Sequence, residues 1–81
     1  MKNEIRNKIN KINLSYLNYS DKALKSVKDK LFEHLLTLKP EYIDCTINEF
    51  SGIEPYEWEE LKDDWEVIFK NNYHYFIIPK W

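Results

Sequence analysis

Cys45, His34 and His74 are the side chains of this chain best suited to nucleophilic or metal chemistry. A thiol nucleophile needs a histidine within hydrogen-bond reach and a third group to orient that histidine. No local pattern supplies this, and Cys45 falls on the expected apolar side of an extended segment, so it reads as a structural cysteine. His34 beside Glu33 and His74 near the end of the chain lack the compact spacing of a metal site, such as two ligands four apart on one helix. A single glycine rules out a glycine-rich phosphate loop. No metal, no cofactor and no enzymatic activity is expected.

Carboxylates are the other reactive groups, and they are concentrated. Glu54, Glu57, Glu59, Glu60, Asp63, Asp64 and Glu66 place seven acids in thirteen residues, interleaved with Tyr56, Trp58 and Trp65. An acid–base dyad sits in an apolar pocket that separates the two pKa values, whereas this run has the composition of a solvated surface. One reading is a solvated helix face whose aromatics turn to the core. The other is a docking surface that imitates nucleic-acid phosphates and steers a basic protein, with exposed aromatics as anchors. On that second reading Glu54, Glu57, Trp58, Glu59, Glu60, Asp63, Asp64 and Glu66 form the partner-binding site.

Charge is divided along the chain. Residues 1–40 carry nine Lys or Arg against four acids, and residues 41–81 carry three Lys against ten acids. The basic half supports an alternative, a stripe of Lys2, Arg6, Lys8, Lys11, Lys22, Lys25, Lys28 and Lys30 that binds RNA or DNA phosphates, or a sheet on which Tyr73, Tyr75 and Phe76 stack bases. The single Arg and the acidic net charge of −2 weigh against it. A homodimer through the outer strand of a C-terminal hairpin is a third possibility.

The elements that must position these groups follow from periodicity. Ile5, Ile9, Ile12, Tyr16 and Tyr19 step by four and three, which predicts a helix over about 2–17. Ser20 and Asp21 offer an N-cap and a first-turn acid. Leu24, Val27, Leu31, Leu35 and Leu38 then predict a helix over about 21–38 that ends before Pro40. The short Asn18–Ser20 link makes the two an antiparallel helical hairpin. Ile43, Cys45 and Ile47 alternate with polar residues, which predicts a strand at 41–49, stopped by Ser51-Gly52 because glycine tolerates positive φ. Pro55 and the following glutamates suit a short helix at 55–62. Trp58, Leu61, Trp65 and Ile68 would also carry one helix to Lys70. The alternation of Trp65, Val67 and Phe69, and of Tyr73, Tyr75 and Ile77, instead favours a hairpin with strands 64–70 and 73–79, turning at Asn71-Asn72. Pro79 suits the end of an edge strand.

Eighty-one residues make one domain, 1–81, of class α+β: two helices on one face of an antiparallel sheet of about three strands. Three Trp, six Tyr and four Phe compensate for the small core. The hairpin residues Trp65, Val67, Phe69, Tyr75 and Ile77 are assigned to that core, against the helices. A lone cysteine gives no sign of an oxidising compartment, and no apolar run is long enough for a membrane span. A cytoplasmic location in a bacterial cell is expected. The abundance of Lys, Asn, Ile and Tyr, with AT-rich codons, points to a low-GC bacterium or its phage.

In general character the chain is similar to small phage or mobile-element inhibitors, such as anti-CRISPR proteins, and to bacterial immunity proteins and antitoxins. These are short, often acidic, motif-poor and non-catalytic. The similarity is one of composition; it covers no alignable residues and transfers no sites. It implies stoichiometric inhibition, here by an acidic surface that occludes the basic nucleic-acid site of a partner enzyme.

Overall fold

The computed structural model describes residues Lys2–Trp81. Helices α1 (Lys2–Asn10), α2 (Asp21–Leu35) and α3 (Pro40–Glu49) precede strand β1 (Ser51–Ile53). A 3₁₀ turn at Pro55–Glu57 leads into the single turn α4 (Trp58–Leu61), then β2 (Trp65–Lys70) and β3 (Tyr75–Pro79). The class is α+β, with the helices N-terminal to a three-stranded antiparallel sheet.

The first helix is shorter than its apolar stripe predicts. It stops at Asn10, and Asn13 then accepts hydrogen bonds from the backbone N–H and the hydroxyl of Ser15 at 3.0 and 2.7 Å. That local bonding competes with the helical ladder. A 3₁₀ turn at Ser15–Leu17 and a left-handed Asn18 (φ 58°) complete the link. Leu14 and Leu17 fill the buried positions that the stripe assigned to Tyr16. The connection is therefore the whole of 11–20 and not Asn18–Ser20 alone. The two helices still run in opposite directions: Arg6 bonds Asp29 at 2.7 Å and lies 4.1 Å from the Phe32 ring centre, while Lys28 reaches the Asn10 carbonyl. Helix α2 begins as expected, with Ser20 accepting the Ala23 N–H at 3.2 Å.

Residues 40–49 are a helix, not a strand. Ile43 and Ile47 satisfy both periods, but Thr46 and Phe50 are buried with them, which is the three-and-four spacing of a helix face. Pro40, read as a stop signal, is the first residue of α3, where its missing N–H costs nothing. The third strand is instead Ser51–Ile53, and this changes the sheet. Its order is β1-β3-β2, so β3 is central and Pro79 ends a central strand opposite Trp65.

Gly52 does not stop a strand by positive φ, since no glycine of the chain has one. It lies inside β1 opposite Phe76. A Cβ there would stand 2.9 Å from Phe76 Cε1 and 3.2 Å from Leu17 Cδ2, so the bare backbone is what lets the Phe76 ring lie against β1. The hairpin loop also differs from a two-residue turn. It runs over Asn71–His74, closed by the Asn71 N–H on the His74 carbonyl at 3.0 Å. Asn71 Oδ1 accepts the N–H groups of Tyr73 and His74, both at 2.8 Å. The side chain thus does the work that left-handed backbone would do in a tighter turn.

The two faces of the sheet have different roles. Phe76 and Ile78 join Ile5, Ile9, Leu31, Leu35, Ile43, Ile47 and Phe50 in the main core, where the Phe76 ring stacks on Phe50 and Phe69. An irregularity between Val67 and Phe69 inserts Ile68, and both Ile68 and Phe69 pack on this core. Trp65, Val67, Tyr75 and Ile77 fall on the opposite face by the alternation of a strand. Assigning them to the helix-facing core reversed the sheet. Ile77 is buried there, while Trp65, Val67 and Tyr75 are only half-buried. Among the described residues no helix is long and apolar enough to cross a membrane.

Candidate functional site

The acidic segment occupies the face of the sheet turned away from the helices. Because β1 and β2 lie on opposite sides of β3, residues 54–64 must cross the sheet, a distance of about 10 Å at the usual strand spacing. Pro55 opens the crossing, and the Glu57 side chain accepts the Glu54 N–H at 3.4 Å. Trp58 comes down on Tyr75, their ring centres 6.2 Å apart and tilted by 47°. The backbone carbonyl of Asp64 ends the crossing by accepting the Lys80 N–H at 3.0 Å, which fixes the exit of the chain into β2.

Glu54, Glu59, Glu60, Asp63, Asp64 and Glu66 are exposed, and Glu57 is half-buried. Glu59 pairs with Lys62 at 2.8 Å, and this hydrogen bond and charge raise the Lys62 pKa above its usual value. Glu54 lies 3.7 Å from His74 Nε2. Among the described residues no cationic group pairs with Glu57, Glu60, Asp63, Asp64 or Glu66. Glu59, Glu60, Asp63 and Asp64 are gathered on the single turn and its exit. Glu54 stands at the hairpin-loop end of the sheet beside His74. Glu66, opposite Ile78, belongs to the helix side of β2 and is not brought together with the others. Tyr56 is 78% exposed and Trp58 half-buried.

The alternatives are placed as clearly. In the basic half, Arg6 and Lys25 share Asp29, Lys8 pairs with Asp44, and Lys28 bonds the Asn10 carbonyl. Three of the eight basic residues of that stripe are thereby paired with acids, while among the described residues Lys2, Lys11, Lys22 and Lys30 make no salt bridge. Phe76 is fully buried and offers no ring to a base, whereas Tyr73 at the loop is 69% exposed. Cys45 is half-buried on α3 with Sγ 3.3 Å from the Tyr42 carbonyl, and neither histidine bonds to it. His74 Nδ1 is 2.7 Å from the Tyr19 hydroxyl, which also accepts from Asn71 Nδ2 at 2.9 Å. That network ties the hairpin loop to the start of α2, and no spacing in the sequence signals it. Among the described residues no three His, Cys, Asp or Glu side chains gather as a metal site would require.

Sequence reasoning also missed the half-open aromatic surface beside the acids. A shallow groove of about 490 Å³ is lined by Trp58, Val67, Ile68, Phe69, Lys70 and Tyr75. Its signal is the order of the strands, which no local pattern reveals. No family model, curated protein or solved structure matches this chain.

Proposed function

We propose that the chain is a non-catalytic protein-binding inhibitor, with the crossover of residues 54–64 as its contact surface. The observation that carries this reading is the set of exposed carboxylates on Glu60, Asp63 and Asp64 that make no salt bridge among the described residues, with Lys62 the one cation whose charge interacts with Asp63, held next to half-buried Trp58. Uncompensated like charges on a short, pinned segment favour association with a basic surface and steer its approach. A groove built to hold phosphates is a basic surface of the kind these acids would attract, so the partner is a basic nucleic-acid-handling protein whose site is occluded. The pairing of Arg6, Lys8 and Lys25 with acids makes direct binding of RNA or DNA by the helices the weaker reading.

The test compares the wild-type chain with Glu59→Lys, Glu60→Lys, Asp63→Lys and Asp64→Lys combined. Both are used to capture protein from lysate of the encoding cell. The expected partner is bound by the wild type alone, is released by added nucleic acid, and dissociates as salt rises. The circular dichroism of the two chains should match. Capture that survives charge reversal, or that nucleic acid does not compete, would overturn the reading.

A further inference from the structure

We propose that the free edge of β2 takes an extended, alternately apolar and basic segment of the partner as a fourth strand. The inference rests on the protein-binding reading above and specifies the form of the ligand. The two edges of the sheet are treated differently. At β1, the Gly52 N–H donates to the Tyr16 hydroxyl at 3.0 Å, and that hydroxyl lies 3.4 Å from the Gly52 carbonyl, so the outward backbone groups of this edge are already taken. At β2, no described side chain hydrogen-bonds to the backbone of Trp65–Lys70.

The direction of the unpaired groups follows from the ladder. Since Gly52 spends its N–H and C=O on Tyr16, its opposite residue Phe76 turns the corresponding groups toward β2. Phe76 and Ile78 therefore bond the β2 residues facing them, Phe69 and Glu66, and Trp65 and Val67 direct their backbone groups outward. The inserted Ile68 interrupts the edge, so pairing is confined to Trp65–Val67.

Side-chain chemistry defines the occupant. A strand laid beside Trp65–Val67 presents alternate residues to the two faces. On the outer face they meet Trp65, Val67 and the groove floored by Trp58 and Tyr75. On the helix face the residue opposite Glu66 meets a carboxylate that lacks a counter-ion. On the outer face Lys70 already holds its ammonium 5.4 Å from the Tyr75 ring centre, so the cation of that ring is supplied from within the chain and the open positions there are the apolar ones. Apolar side chains outward and a basic one inward is the complementary pattern.

Short peptides alternating Val and Lys serve as the probe, titrated into the isotope-labelled full chain and followed by amide shifts and hydrogen exchange. The expected result is saturable binding with protection of the Trp65 and Val67 amides. The Val–Glu counterpart should not bind. N-methylation of the peptide's ladder-forming amides should weaken binding by about fivefold or more, the effect of losing an inter-strand hydrogen bond. Because the peptide carries the change, the fold of the chain is untouched. Equal binding of the N-methylated peptide, shifts confined to residues 59–64, or no shift at saturating peptide would each overturn the strand proposal. Those outcomes leave the acidic-surface reading standing, since that reading fails only in the capture experiment. Concentration-dependent protection of the Val67 amide without peptide would give the edge to a second copy of this chain and overturn the proposal as well.

Discussion

The Tyr16 hydroxyl meets both backbone groups of Gly52, accepting its N–H at 3.0 Å and lying 3.4 Å from its carbonyl oxygen. A residue that stands in the apolar stripe of the first helix by spacing is used, in the folded chain, to finish the edge of a sheet. Tyr16→Phe keeps the ring and removes this bond. The expected loss is about 1–3 kcal/mol of unfolding free energy, the range for a partly buried group left without its partner. Urea denaturation with an unchanged m-value would show it, and an unaltered midpoint would refute it.

Gly52→Ala should be destabilising despite leaving the strand's φ/ψ accessible. The new methyl would stand 2.9 Å from Phe76 Cε1, a ring fixed between Phe50 and Phe69. Overpacking of this kind costs about 1–3 kcal/mol. Combining it with Phe76→Leu should give less than the sum of the two single losses, because the smaller side chain removes the clash. Strict additivity in that double-mutant cycle would show the collision to be unimportant.

Removal of the Tyr19 hydroxyl, by Tyr19→Phe, takes one partner each from His74 and Asn71. A loss of about 1–3 kcal/mol is expected, together with faster amide exchange at Tyr73 and His74, which Asn71 Oδ1 holds in place. Exchange that speeds up only in the helices would contradict this assignment.

Glu59→Gln should return the Lys62 pKa downward toward its usual value, followed by titration of the lysine side-chain resonances. The wild-type pKa is raised by the hydrogen bond and charge of Glu59. A group whose folded-state pKa is raised contributes stability below its unfolded-state pKa and loses it as pH rises through the higher folded value. The dependence of stability that arises from the Lys62 titration is therefore confined to strongly alkaline pH. At neutral pH the pair is exposed and solvent-screened, so the variant's melting temperature should match that of the wild type.

Leu31→Ala tests the core. Leu31 is fully buried in the cluster that joins the helices to Phe76 and Ile78. A loss of about 2–5 kcal/mol is expected for a large-to-small change at such a site. On a domain of this size that is a large share of the total, and a thermal melt would register it.

The stripe from Leu24 to Leu35 was legible because only one period fits it, whereas Trp58, Leu61, Trp65 and Ile68 fit a helix as well, and the alternation on both sides of Asn71-Asn72 is what favoured a hairpin there. Ile43, Cys45 and Ile47 fit two periods, and the choice was made by Thr46 and Phe50 entering the core from a helix. Once residues 40–49 are helical, the third strand must come from the three residues after Phe50, too short a run to announce itself. The exposure of the carboxylates could be read from composition. Their separation could not: Glu66 leaves the group because strand alternation carries it to the other face, and the position of Glu54 depends on where β1 lies. The identity of the helix-facing strand residues was inverted because the outer face has a cover, Trp58, supplied by the acidic crossover itself.

That crossover bridges two strands that do not pair with each other. Everything from Glu54 to Asp64 is in effect a strut whose length matches the width of the sheet, with one end set by Ile53 and the other by Trp65. A molecule that grips the strut in its native shape also holds β1 and β2 at their proper distance around β3. Occupancy would then register as a higher melting temperature, through the same linkage by which any ligand of the native state opposes unfolding.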